Sequence, residues 1–234
     1  IPVYILALDL KKADVPIGKE QKNITLQSIL GNYKEVLLHS PLEKMSFSVQ
    51  SLYWGQSCFI TISSFLFINE MGINATQVGL LNVLFVCGLI LGRFPAMYLQ
   101  KHYSIRVAFV VNSALTLITT VTMLAYYFIY GSHTLVEIIL LYSLQCIGFG
   151  GLSILGIRNC IVVGKENKGS ATGYYHFSNQ VFSWLGVAFA QYLYRLDFSS
   201  VDIFQWMTGI VLVLSLMGTF FFLRAYSCYK SLIE

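Results

Sequence analysis

The stretch TQVGLLNVLFVCGLILGRFPAMY, residues 76–98, decides the fold, because its only charged side chain, Arg93, lies near its end. A helix rises about 1.5 Å per residue and the hydrocarbon core of a bilayer is about 30 Å thick. About 20 mostly apolar residues therefore cross a membrane as a helix. The stretch meets this requirement and predicts a membrane-spanning helix.

Five more stretches of the same kind accompany it. They are residues 48–68, 106–129, 135–157, 171–194 and 202–223. Charged side chains inside the six stretches lie near the ends, as Arg93, Glu137 and Asp202 do. The connections at 70–74 and 131–133 are so short that neighbouring helices must run antiparallel. The sequence thus predicts an all-α polytopic membrane protein with six transmembrane helices.

The composition excludes several other classes of protein. Hydrophobic residues make up 56% of the chain and charged residues only 11%, against about 25% in soluble domains. The net charge of +4 is too small and the apolar content too high for a disordered chain. The basic residues form no patch, so we expect no nucleic-acid partner. The five scattered cysteines do not fit a disulfide scaffold.

Lys and Arg residues are distributed very unevenly between the two sides of the predicted bundle. Of the 15 basic residues, only Arg195 falls in a connection on one side. The others precede the first helix, follow the last, or lie at the second–third and fourth–fifth connections, as Lys101, Arg106 and Arg158 do. Cytoplasmic segments carry the excess of Lys and Arg. We therefore expect both termini to be cytoplasmic.

Outside the six stretches, the chain divides into a leader and a tail. We assign residues 1–46 to a cytoplasmic leader, 47–225 to the transmembrane domain and 226–234 to a cytoplasmic tail. In the leader, apolar residues recur at spacings of three and four: Leu26, Ile29, Leu30, Tyr33, Val36 and Leu37. This pattern predicts either an amphipathic helix docked at the membrane or a plain linker with one helix. Because the chain begins with Ile1, we expect a fragment of a longer protein.

Polar and aromatic side chains follow one face of three predicted helices. They are Gln50, Trp54 and Ser57 in the first, Tyr142, Gln145 and Phe149 in the fourth, and His176 and Asn179 in the fifth. Polar side chains within a span tend to face protein or a water-filled cavity. These residues are our candidates for substrate binding in a shared cavity. The alternative is that Gln and Asn join helices without touching a substrate.

Residues that carry enzymatic chemistry are sparse. His176 is the one residue deep in a predicted helix that titrates near neutral pH, and we expect a solvated or hydrogen-bonded His there rather than a proton carrier. We also expect no buried Asp or Glu in the spans. The sequence shows no metal-like Cys or His pair, phosphate loop or nucleophile elbow. We therefore expect no catalytic residue, metal or cofactor, and no enzyme.

Glycines cluster in the second and fourth predicted helices. They are Gly79, Gly88 and Gly92 in the second, and Gly148, Gly150, Gly151 and Gly156 in the fourth. Small residues at such spacings allow helices to approach closely. The alternative is that the glycines let the fourth helix bend during a gating motion.

Four short stretches carry a resemblance to a known family. They are GNYKEVLL (31–38), QVGLL (77–81), GLILG (88–92) and KGSATG (168–173). Together with six spans and a basic leader, they resemble the C-terminal six-helix half of a major facilitator superfamily transporter, over about residues 29–223. Within that superfamily the chain resembles the Bcr/CflA group of drug:proton antiporters. Phe85 departs from the pattern, because a polar residue is expected there.

The resemblance implies a function and a set of partners. It implies a secondary active transporter that exports drug-like amphipathic small molecules by proton antiport in the bacterial inner membrane. The first and fourth helices would line the central cavity, and the second and fifth would help to gate it. Trp54, Tyr142 and Phe149 would stack on the substrate. The partners would be the small-molecule substrate, the lipid bilayer and the N-terminal half of the same transporter.

Two other functions stay open at this point. One is uptake of a metabolite by a transporter of the same fold, although a charged substrate would require an intramembrane Arg or Lys, and Arg93 lies at an edge. The other is a membrane subunit that transports nothing and scaffolds partner proteins.

Overall fold

The computed structural model of the protein describes residues 40–163, 168–196 and 198–233, together with Gly31. Six long helices follow one another in these residues. They are α1 (Ser40–Phe65), α2 (Ala75–His102), α3 (Ile105–Tyr130), α4 (Leu135–Val163), α5 (Lys168–Arg195) and α6 (Ser200–Ile233). A π-helical segment, Leu66–Glu70, continues α1. The predicted all-α class and the order of six helices are confirmed.

Some predictions fall at or beyond the edges of the described residues. The predicted leader helix and the GNYKEVLL stretch lie outside them, apart from Gly31. The predicted limits of the transmembrane domain, residues 47 and 225, fall inside α1 and α6. These two helices are therefore longer than their apolar stretches, because a helix can continue into polar sequence beyond the hydrocarbon core.

Five of the helices are both long and apolar enough to cross a membrane. The qualifying segments are Val49–Glu70, Ala75–His102, Ile105–Tyr130, Leu135–Val162 and Ser200–Arg224. The fifth helix, α5, has 28 residues and the length to span, but it is more polar than the other five. Its sequence includes His176, Asn179 and Gln180. α5 packs chiefly against α1.

Side-chain caps begin α2 and α3, and a glycine ends α3. These caps allow short connections between successive helices. At the start of α2, Gln77 N donates to Asn74 Oδ1 at 2.9 Å, and Asn74 N donates to Gln77 Oε1 at 3.3 Å. Ser104 Oγ accepts from Val107 N at 3.2 Å at the start of α3. Gly131 ends α3 with φ of +71°, a left-handed conformation that favours glycine. Successive helices therefore reverse direction within a few residues.

Contacts along the helices show the direction in which each one runs. Between α1 and α4 the contacts are Ser46 with Cys160, Tyr53 with Phe149 and Phe59 with Tyr142. Between α1 and α5 they are Phe47 with Phe182, Trp54 with Phe189 and Phe65 with Tyr194. The first pair of helices is therefore antiparallel and the second parallel. The start of α1 and the end of α6 meet at Phe47 and Phe221, which places them at one end of the bundle.

The two ends of the bundle differ in charge. Lys101, Arg106 and Arg158 lie at the end where α1 begins, which we call the basic end. Glu70, Glu137 and Asp202 lie at the opposite end, which we call the acidic end. This difference in charge between the two ends agrees with the uneven distribution of Lys and Arg along the sequence. That the basic end faces the cytoplasm stays a prediction.

Gly92 of α2 and Gly150 of α4 set the closest approach between two helices. A Cβ added at Gly92 would overlap the carbonyl of Ile147, and one added at Gly150 would overlap the carbonyl of Leu89. Each backbone therefore lies directly against the other, and α2 and α4 make extensive contacts. The structure favours the packing interpretation of these glycines over bending. Gly79 is different, because a Cβ there would meet nothing within 4 Å.

Candidate functional site

The polar stripe of α4 points into the six-helix bundle. Tyr142 is buried, and its ring stacks on that of Phe59 with centroids 3.4 Å apart. Gln145 Nε2 donates a hydrogen bond to Thr120 Oγ1 of α3 at 3.0 Å. Phe149 is buried against Tyr53. Gln145 therefore joins α4 to α3, as the alternative interpretation of the polar stripes predicts.

A small cavity lies among α1, α3, α4 and α6. Its volume is about 30 Å³. It is lined by Tyr142, Gln145 and Phe149, with Gln56 and Thr208 among the other lining residues. A water molecule needs about 10–15 Å³ of such space, and drug-sized ligands occupy pockets of about 300–1,000 Å³. Within the described helices the cavity is too small for a substrate, and the role of these side chains in binding stays a prediction.

The candidate residues of α1 lie partly at the surface. Gln50 is buried, and within the described part of the chain its Nε2 has no hydrogen-bond partner. Trp54 and Ser57 are half-buried. The Trp54 ring lies 5.3 Å from that of Phe189 on α5. This face of α1 is thus packed against α5 at Trp54, is buried at Gln50 and is partly exposed at Trp54 and Ser57.

The candidate residues of α5 are split between inside and outside. Asn179 is buried one turn from Tyr175, and among the described residues its amide makes no hydrogen bond of normal geometry. Tyr175 OH donates instead to Ser153 O of α4 at 3.1 Å. His176 is exposed. Of the eight predicted residues, Tyr142, Gln145 and Phe149 line the small cavity, and the other five do not; that all eight share a substrate site stays a prediction.

A buried acidic residue was missed by the sequence analysis. The expectation of no buried Asp or Glu in the helices was wrong, because Glu137 in the first turn of α4 is buried. The connection before α4 folds over it, so that His133 Nδ1 lies 2.9 Å from Glu137 Oε2. Gln205 Nε2 of α6 contacts the other ring nitrogen of His133.

The sequence contained a signal for this arrangement. Thr134 and Glu137 have the spacing of a capping box. In the structure Glu137 N donates to Thr134 Oγ1 and Thr134 N donates to Glu137 Oε2, each at 3.3 Å. The cap turns the carboxylate back towards the connection, where His133 lies. A Glu near the end of a span is therefore enclosed rather than solvated.

The sequence profile of the Major Facilitator Superfamily matches residues 45–230. The chain belongs to this superfamily. The match begins near the start of α1 and ends near the end of α6, so it covers all six helices. A search of curated proteins found no match to the chain.

Membership of the Major Facilitator Superfamily identifies the chain as an integral, multi-pass membrane protein and a transporter. It agrees with the all-α bundle and with the five apolar helices long enough to span. The resemblance stated from the sequence is thereby confirmed at the level of the superfamily. The Bcr/CflA group, the substrate and the coupling ion belong to the proposal that follows.

Proposed function

We propose that the chain is the six-helix half of a secondary transporter that exports amphipathic small molecules in exchange for protons. The superfamily match supports transport. The KGSATG and GLILG stretches, which resemble the Bcr/CflA drug:proton antiporters, support the subgroup. An N-terminal half of the same transporter would be the partner of this bundle in a bacterial inner membrane, with both termini cytoplasmic.

The observation that carries the proposal is the difference between the α1 and α4 stripes. Tyr142 and Phe149 are buried by neighbouring helices of this bundle, and the half-buried Gln145 donates its hydrogen bond to Thr120 of α3. Trp54 and Ser57 keep part of their surface, and His176 on the parallel helix α5 is exposed. We place the substrate against α1 and α5, on the surface that these helices present to the other half.

The proposed mechanism is alternating access by rocking of the two halves around a site near the membrane midplane. Trp54 provides an aromatic face for an amphipathic substrate, and Ser57 provides a hydroxyl group that donates or accepts a hydrogen bond. The contact of Gly92 and Gly150 with the opposing backbones holds α2 and α4 together as one unit. Such a unit moves as a rigid body.

The test is transport of a lipophilic cationic dye by the complete transporter in inside-out vesicles with an imposed pH gradient. We expect Trp54→Ala with Ser57→Leu to lower the rate about tenfold at equal folded amounts, because a stacking face and a polar contact are worth about 1–2 kcal/mol together. Trp206→Ala is the matched control, because Trp206 is 63% exposed on α6, outside the surface of α1 and α5. An equal loss of transport rate in the double variant and in the control would contradict a substrate site at Trp54 and Ser57.

The same vesicles decide between the proposal and the other functions. Proton-driven accumulation of dye in inside-out vesicles supports export. Movement in the opposite sense, or transport of metabolites alone, would favour uptake. If no substrate moves in a correctly folded, complete protein, the scaffold function replaces the proposal.

A further inference from the structure

A groove separates α3 and α6 towards the acidic end of the bundle. Its volume is about 650 Å³, within the range of about 300–1,000 Å³ that is usual for small-molecule sites. Its walls include Tyr127, Phe128, Asp202, Trp206, Gly209 and Val213. The groove does not overlap the surface of α1 and α5 where we place the substrate.

The groove opens between α3 and α6 towards the acidic end, whereas the two helices pack ring on ring near the basic end. Near the basic end, the rings of Phe109 and Phe222 stack with centroids 3.4 Å apart. Towards the acidic end, Gly209 leaves a gap, because a Cβ at that position would meet nothing within 4 Å. The large side chains of Phe128 and Trp206 stand on either side, 81% and 63% exposed.

The two ends of the groove differ in chemistry. At the start of α6 the Asp202 carboxylate is exposed, and its Oδ2 accepts a hydrogen bond from Ser199 Oγ at 2.7 Å. The aromatic rings of Tyr127, Phe128 and Trp206 lie along the same groove. Further along α6 the lining becomes aliphatic with Val213. Among the described lining residues none is Lys or Arg.

This pattern selects an amphipathic cation. A carboxylate attracts an ammonium group and accepts its hydrogen bonds, and aromatic faces attract the same charge. An aliphatic floor accommodates a hydrocarbon chain. Phosphate groups without an accompanying cation are disfavoured, because the only formal charge on the described lining is the negative charge of Asp202.

We propose that this groove binds a membrane phospholipid with a primary ammonium head group, for which phosphatidylethanolamine is the probe. The ammonium group pairs with Asp202, and an acyl chain lies past Trp206 along Val213. A lipid is the occupant because the groove opens on the exposed apolar surface of a membrane-spanning bundle. Asp202 lies at a helix end and Trp206 close to it, at the depth where head groups and interfacial Trp residues lie.

The test is native mass spectrometry of the delipidated full-length protein, titrated with three lipids of identical acyl chains. The lipids are phosphatidylethanolamine, phosphatidylcholine and phosphatidylglycerol. We expect phosphatidylethanolamine to bind about three- to fivefold more tightly than either of the others. The quaternary ammonium of phosphatidylcholine cannot donate a hydrogen bond to Asp202, and phosphatidylglycerol carries no cation.

Two variants and two matched controls locate the site. Asp202→Asn keeps an acceptor for Ser199 but removes the charge, so it should lower phosphatidylethanolamine binding to the level of phosphatidylcholine. Trp206→Ala should weaken the binding of both lipids. Glu70→Gln, an exposed carboxylate at the same end, and Trp184→Ala, an equally exposed Trp on α5, should change neither.

Three outcomes would overturn the proposal. The first is equal binding of the three lipids by the unmodified protein. The second is unchanged lipid selectivity in Asp202→Asn together with unchanged lipid affinity in Trp206→Ala, each variant folded as shown by its circular dichroism spectrum. The third is a protein dimer in the same spectra that Trp206→Ala abolishes, since a second copy of the chain would then occupy the groove.

Discussion

His133 Nδ1 lies 2.9 Å from Glu137 Oε2, and the two side chains are only 2% and 6% exposed. The pair holds the connection between α3 and α4 against the first turn of α4. The ring of Tyr127 on α3 lies 5.5 Å from the His133 ring, and Gln205 of α6 contacts its other nitrogen. Three helices therefore meet at one histidine at the acidic end.

We predict that His133→Ala destabilises the protein by about 1–3 kcal/mol, because the buried Glu137 carboxylate loses His133 and keeps only the hydrogen bond from Thr134 N at 3.3 Å. The apolar double variant His133→Leu with Glu137→Leu should lose less, since neither side chain then requires a polar partner. Thermal unfolding in detergent gives the comparison. If the single and double variants unfold at the same temperature, the buried Glu137 carboxylate does not need His133 as its partner, and the prediction is wrong.

The packing of α2 against α4 gives a second prediction. Gly92→Ala and Gly150→Ala should each lower stability by about 1–3 kcal/mol, because the added methyl group must displace the opposing backbone. Gly79→Ala is the control, because the space around Gly79 is open and alanine favours the helix by about 0.5–1 kcal/mol. A loss of stability in Gly79→Ala equal to the others would refute the close approach.

Gln145 separates the two interpretations of the polar stripes. Its bond to Thr120 leads us to predict that Gln145→Leu lowers stability by about 0.6–1.7 kcal/mol and leaves substrate affinity unchanged. Thr120 keeps its own bond to Thr116 O at 2.7 Å, which limits the loss. Dye affinity and thermal unfolding are measured on one preparation. If Gln145→Leu lowers the affinity for the dye and leaves thermal stability unchanged, Gln145 binds substrate and the prediction is wrong.

The sequence predicts six helices well because span length and apolar character are local properties. Helix direction also follows, because the connections at 70–74 and 131–133 leave no room for anything but a reversal. Which helix packs against each polar stripe is not a local property of the sequence. The spacing of Tyr142 and Gln145 places them on one face of α4, but only the three-dimensional arrangement places that face against α1 and α3.

The burial of Glu137 shows a second limit. Its position near the end of an apolar stretch is typical of a solvated carboxylate, and the same sequence position is enclosed once His133 folds back over it. The capping spacing of Thr134 and Glu137 was visible, but the contact with Gln205 joins residues 72 positions apart in the chain. Pairing over that distance cannot be predicted from local pattern.

Orientation in the membrane gives a fourth prediction. Single cysteines at Ser132 or Ser199 should react with an impermeant thiol reagent applied outside intact cells, and a cysteine at Tyr103 should not, because the basic end is predicted to be cytoplasmic. All three positions are exposed. Cys87 is exposed and is replaced by Ser beforehand. Labelling at Tyr103 but not at Ser132 or Ser199 would show that the predicted orientation is wrong.

The last prediction concerns proton coupling, and it rests on the different surroundings of two histidines. A carrier must gain and lose a proton near neutral pH and must be reached from both sides in turn. His176 is exposed within the first turns of α5, close to the basic end, so it is poorly placed to exchange protons with the acidic end. His133 and Glu137 are enclosed at the acidic end, which separates them from the basic end. We therefore expect the essential carrier to lie outside this chain.

In the complete transporter, His176→Gln should keep pH-gradient-driven transport in vesicles, because Gln preserves hydrogen bonding but cannot titrate. Its affinity for substrate should change by less than about threefold, since an exposed hydrogen bond is worth less than about 1 kcal/mol. His133→Gln, compared at equal folded amounts, should also keep the dependence on the gradient while it lowers thermal stability. Complete loss of gradient-driven transport in either variant, with substrate binding intact, would show that a residue of this chain carries the proton.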